Sequence, residues 1–149
     1  MILLAHLLLG ALIGSKVSNI FLAIILALLS HYLLDLFPHI EYPIENIEKK
    51  QWRKALPDIL RVLLDFSISI LLISLLSKNT LLVYICAFFA ILPDGLSLLE
   101  STTNNNLLKK HGMFHHEKIH ILKHKKFSIF WRILSQVLAV TICIFLFRV

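Results

Sequence analysis

The chain has 149 residues, 58% of them hydrophobic and only 16% charged, with a mean hydropathy of +0.81; too few polar side chains remain to wet a soluble globule, and the composition is that of an integral membrane protein. A formal net charge of +6 does not signal nucleic acid, because the basic residues lie between apolar runs and no compact basic domain tracks a phosphate backbone. The expected partners are the lipid bilayer and anionic phospholipid headgroups, each Lys or Arg near a negatively charged leaflet contributing about 1 kcal/mol.

A hydrocarbon core of roughly 30 Å takes about 20 apolar residues per helix. The length therefore accommodates one domain, residues 1–149, folded as an all-α polytopic transmembrane bundle of four to five membrane helices. The first, about residues 2–14, resembles the apolar part of a signal peptide, but no positive region precedes it and a second apolar run follows directly. It reads as retained, and it is short for a full span. The second helix covers about 18–36, separated from the first by Gly14 and Ser15 and closed by Pro38 and Pro43. The third is expected over 57–77 with Pro57 in its first turn, where a missing N–H does no harm; the fourth covers 79–98 and the fifth 127–147. The short Lys78-Asn79 connection makes the third and fourth an antiparallel pair. Cys86 and Cys143 sit within apolar runs and act as small hydrophobes, giving neither a disulfide framework nor a thiolate site.

Two long polar connections, 41–56 and 101–126, fall on one side if the helices alternate. That side carries ten Lys and Arg residues against three on the other, so the positive-inside rule makes the long connections cytoplasmic. On the same side lie His6 at the start of helix one, His31 and Asp35 in the last turns of helix two, Asp58, Arg61 and Asp65 early in helix three, and Asp94 late in helix four. With His111, His115, His116, His120 and His124 in the following loop, seven of the eight histidines gather there. A charge at mid-bilayer costs about 2.5 to 3.5 kcal/mol on insertion scales, and such residues tend to line a functional cavity.

Three local patterns bear chemistry. Ser30-His31-Tyr32-Leu33-Leu34-Asp35 puts an imidazole and a carboxylate four residues apart on one helical face, donors that suit a divalent ion such as zinc or manganese, or else a plain His–Asp hydrogen bond. His111-Gly112-Met113-Phe114-His115-His116-Glu117-Lys118-Ile119-His120 offers four further histidines, on a stretch that also reads as a basic amphipathic interfacial helix. Leu92-Pro93-Asp94-Gly95 holds an acid between two helix breakers, as a helix end. Arg61 and Asp65 are expected to form an i,i+4 ion pair, and Asp58 to favour the helix dipole.

These fragments resemble the bacterial inner-membrane metal-dependent hydrolases, small polytopic proteins with His and Asp motifs at helix ends. Ala5-His6 is similar to that family's Gly-His, Ser30-His31 with Asp35 to its SHxxxD, Leu92-Pro93-Asp94 to the start of its LPDxDH, and His111 with His116 to the two histidines of its HRGxTHS. The chain departs from the pattern after Asp94, where it reads Gly95-Leu96-Ser97, and His115 stands where the family has Thr. SHxxxD also precedes LPD here.

The resemblance and the residues together imply a hydrolase in the bacterial inner membrane, acting through a metal-bound water on a phosphoester at the cytoplasmic face. Its expected metal ligands are His6, His31, Asp35, Asp94, His111, His115, His116 and His120, with Glu117 as general base or as a partner orienting a histidine. No Walker loop and no GxSxG is present to supply another nucleophile. Two other readings stand beside it: a metal-binding or transport protein using the same ligands, and a non-catalytic relative or structural protein whose histidines only meet headgroups.

Overall fold

The computed structural model describes residues 2–43, 45–103, 105–113 and 127–149, and these contain helices and no strand. The elements are α1 (Leu3–Lys16), α2 (Ile20–Asp35), α3 (Glu45–Glu48), α4 (Trp52–Leu76), α5 (Leu81–Thr102), α6 (Asn106–Met113) and α7 (Ile129–Arg148). Three of the described helices are long and apolar enough to cross a membrane: Trp52–Leu76, Leu81–Glu100 and Ile129–Arg148. That is fewer than the four to five expected. With 14 and 16 residues, α1 and α2 fall short of the about 20 that a span requires.

The role of α1 explains its length. A helix that is apolar on every side belongs in a core, and α1 packs against α2, α4, α5 and α7, with Ala5, His6, Leu7, Leu8, Gly10, Ala11, Leu12 and Gly14 buried. The surrounding helices turn apolar side chains outward: Phe21, Leu29 and Leu33 on α2, Leu60, Leu64 and Leu75 on α4, Phe130, Val137 and Phe145 on α7. Such an exterior is stable in hydrocarbon and not in water.

Small residues set the helix directions. Gly10 lies against Cys86, Ala87 and Ala90, and Gly14 against Leu82, Val83 and Cys86, so α1 runs antiparallel to α5. Ala23 and Ala27 cluster with Cys86 while His31 reaches the Ala90 carbonyl, so α2 runs parallel to α5. Asp65 meets the start of α1 at Leu4, and Ile73 joins Leu8, Ala11 and Leu12 in the core, which makes α4 parallel to α1 and antiparallel to α5; the direction is the expected one, but the two do not pack as a pair, each lying against α1 instead. Gln136 of α7 donates to the Ile40 carbonyl at 2.9 Å, and Cys143 packs in the same core. The starts of α1, α4 and α7 and the C-terminal parts of α2 and α5 therefore share one end of the bundle.

Two prolines do less than the sequence suggested. α4 begins at Trp52, so Pro57 sits inside the helix rather than in its first turn; the carbonyl it frees is that of Arg53, an exposed residue, so no buried acceptor is orphaned. α5 passes through Pro93 and Gly95 and continues to Thr102, so Asp94 is not at a helix end. Pro93 removes the bond to the Phe89 carbonyl, one turn before the Ser97 hydroxyl's own bond to the Pro93 carbonyl at 3.1 Å, and a membrane helix tolerates this where packing against neighbouring helices and local adjustment offset the lost bond.

Candidate metal centre

Three helices deliver the site. On α2, Ala23, Ala27, His31 and Asp35 recur every four residues and are all buried, so one stripe carries small packing residues below and polar donors above. On α1, His6 lies four residues before Gly10, and on α5, Asp94 lies four residues after Ala90; because Gly10 touches Ala90, the antiparallel pairing sets His6 beside Asp94. His6, His31 and Asp94 each offer a donor atom within 4.8 Å of the others.

Asp35 ties the centre together. Its Oδ1 lies 3.3 Å from His6 Nε2 and its Oδ2 3.0 Å from His31 Nε2, while Asp94 Oδ1 approaches the same His31 nitrogen at 3.5 Å. The side chains of His6, His31 and Asp35 are fully buried, and that of Asp94 is 36% exposed. The His6 and His31 rings stack with centroids 4.3 Å apart. His31 Nδ1–H donates to the Ala90 carbonyl at 2.8 Å, which leaves the Nε2 lone pair for the side where the two carboxylates stand. His6 Nδ1 is buried with no hydrogen-bond partner among the described residues.

A lone pair and two carboxylates gathered away from water repel one another unless a positive centre joins them, either a proton on His31 or a cation. Imidazole nitrogens and carboxylate oxygens at these separations fit a borderline divalent ion, and the locked His31 ring has the outer hydrogen bond that ligating histidines carry. The donor set therefore fits a metal.

No protein-family model, curated protein or solved structure matches the chain.

Of the expected ligands, His6, His31, Asp35 and Asp94 converge. His111 is not in the group of His6, His31 and Asp94; its Nε2 lies 3.3 Å from the Tyr32 hydroxyl, one residue from His31, so α6 folds back toward the site end. His115, His116, Glu117 and His120 lie outside the described residues. The expected Arg61–Asp65 pair is not formed; Arg61 binds Asp58 at 3.1 Å, and Asp58, buried in the second turn of α4, also accepts from Asn46 at 3.4 Å.

Asp65 instead caps α1. It accepts from the Leu4 backbone N–H at 3.2 Å and from the Tyr42 hydroxyl, serving an orphan donor at the N-terminus of the helix that carries His6. Burial, reinforced by the bond to Asp65, pushes the Tyr42 phenol above its ordinary range, so it remains a donor at all physiological pH. Asp65→Asn is expected to destabilise the protein by about 1–2 kcal/mol and to weaken the fit of His6, read as a lower unfolding temperature in detergent.

Two residues of this region carried no weight in the sequence. His39 lies with its Nε2 3.7 Å from Asp35 Oδ1 and 3.5 Å from Glu41 Oε1. Its signal was the spacing of four through His31, Asp35 and His39. Tyr42 left no such signal, since its partner Asp65 is on another helix.

Proposed function

We propose that this chain is a membrane-embedded, metal-dependent hydrolase of the bacterial inner membrane, acting on a phosphoester of a lipid or lipid-linked substrate at the cytoplasmic face. The observation that carries it is the meeting of His6, His31 and Asp94 from three helices within 4.8 Å, with one of the three open to the outside.

A divalent ion, zinc or manganese, held by these donors supplies Lewis acidity toward a water or a phosphoryl oxygen. The chain's own part is positional. Asp35, beside them as a fourth donor, also orients His6 and His31, the Ala90 carbonyl fixes the tautomer of His31, and burial of three of these four side chains excludes bulk water. Substrate reaches the centre along Asp94, beside Gly95, where nothing among the described residues lies within 4 Å of the space a Cβ would take. Lys109 and Lys110 are exposed on α6, at the same end, and would draw anionic groups.

Depth also supports a lipid substrate. Asp94 lies thirteen residues beyond Leu81, about 20 Å at 1.5 Å per residue, so a helix that enters a core of roughly 30 Å at Leu81 would hold the site about 10 Å below the opposite interface, within reach of a lipid in that leaflet. Exposed Trp52 and Trp131 at the starts of α4 and α7 provide the aromatic belt expected above it. Transport is less well supported. Toward the other end the core is Leu8, Ala11, Leu12, Ile73, Val83 and Ala87, and Ser67, Ser69 and Ser74 donate to carbonyls of their own helix, leaving no polar path there among the described residues.

Protein purified in detergent should retain divalent metal by elemental analysis and hydrolyse a phosphoester in a panel of phospholipids and lipid-linked phosphates. His31→Ala and Asp94→Ala should each lower metal content and bring hydrolysis to the level of a mock preparation. Unchanged metal in both variants would reject the centre; bound metal with no hydrolysis across the panel would favour a non-catalytic metal protein.

A further inference from the structure

His39 repeats the arrangement of His31. It stands four residues beyond Asp35, on the connection that follows α2, with a side chain only 4% exposed. Its Nδ1–H donates to the Phe37 carbonyl at 2.7 Å, as the His31 Nδ1–H donates to that of Ala90, and each ring thereby turns an Nε2 lone pair toward a different oxygen of Asp35: His31 toward Oδ2, His39 toward Oδ1. Glu41 Oε1 faces the His39 nitrogen at 3.5 Å, as Asp94 Oδ1 faces that of His31 at 3.5 Å. The two halves thus have the same composition: an imidazole locked on a backbone carbonyl, a carboxylate of its own, and one oxygen of a shared, fully buried Asp35.

Ligands on a tetrahedral ion with bonds of 2.0–2.1 Å stand about 3.3–3.4 Å apart. The separations of His39 Nε2 from Glu41 and Asp35, 3.5 and 3.7 Å, lie close to that spacing. We propose that Asp35 bridges two divalent cations, one held with His6, His31 and Asp94 and a second, not foreseen in the sequence, held with His39 and Glu41. The inference rests on the reading of the first centre as a metal site and extends it to a pair, an arrangement that clamps both the attacking and the leaving oxygen in phosphoester chemistry. The Glu41 side chain is 34% exposed, so the second half, like the first, has its open edge on its own carboxylate.

The test uses the full chain in detergent, stripped with chelator and titrated with MnCl2. Two Mn2+ per chain are expected, with a spin-coupled electron paramagnetic resonance spectrum, because a shared carboxylate couples the ions. His39→Gln and Glu41→Gln should each reduce the stoichiometry to one and restore the uncoupled six-line signal. Glu41 is part-exposed, so its variant keeps the test decisive if His39→Gln misfolds on size-exclusion chromatography. One Mn2+ in the parent, unchanged in Glu41→Gln, would overturn the second site and leave the first standing; two that persist in both variants would also overturn it. No bound Mn2+ at all would remove both.

Discussion

Asp35→Ala is expected to be the most damaging single change in the chain, abolishing metal retention and destabilising the fold together. The Asp35 carboxylate approaches His6, His31 and His39 alike, and removing one partner from a buried charged cluster costs about 3–5 kcal/mol, because the groups left behind keep their desolvation penalty. Thermal unfolding in detergent should show the loss even in chelator, where no ion contributes. Asp35→Asn separates the two effects. The amide preserves the shape and can still bond a histidine nitrogen, so the fold should survive, while the lost negative charge should still deplete the metal. Full metal content in Asp35→Asn would show that this carboxylate is not a donor.

The reach of the sequence can be judged from the same residues. His31 and Asp35 were legible because a helix converts a spacing of four into a shared face, and His6 and Asp94 because threading the apolar runs through a bilayer set them at one end. What a linear pattern does not contain is which helix lies at the centre. Length alone made α1 a marginal span; its burial on all sides and its cap from Asp65 are properties of four neighbours. His39 is hidden in the sequence by Pro38, which ends the helical pattern. The chain nevertheless turns on beyond Asp35: Leu36 keeps right-handed helical geometry, and Phe37 N–H bonds the Leu34 carbonyl at 3.1 Å, which carries His39 back to the Asp35 face. Pro93 misled in the opposite sense, as a stop that buried packing overrides.

Gly10→Val should disable the centre from four residues away while leaving every donor in the sequence. A Cβ at Gly10 would stand 2.6 Å from both the Ala90 Cβ and the Cys86 carbonyl oxygen, and one at Gly14 would stand 2.8 Å from the Leu82 carbonyl oxygen; backbone atoms cannot swing aside, so α1 and α5 must separate. Gly10 and Gly14 form a GxxxG pair, the device by which membrane helices approach closely when no hydrophobic effect drives them together. Their register is also what sets His6 beside Asp94. Overpacking of this kind costs about 1–3 kcal/mol, and a shift of about 1 Å at the donors would exceed the ±0.2 Å tolerance of a metal–ligand bond. Loss of metal at a temperature where circular dichroism still shows a helical protein is the expected result. Gly95→Ala is the control: it lies on the same helix as Asp94, its Cβ would meet nothing among the described residues, and metal content should be unchanged. If Gly10→Val binds metal as the parent does, α1 does not contribute His6 to the centre, and the donors must be sought on α2 and α5 alone.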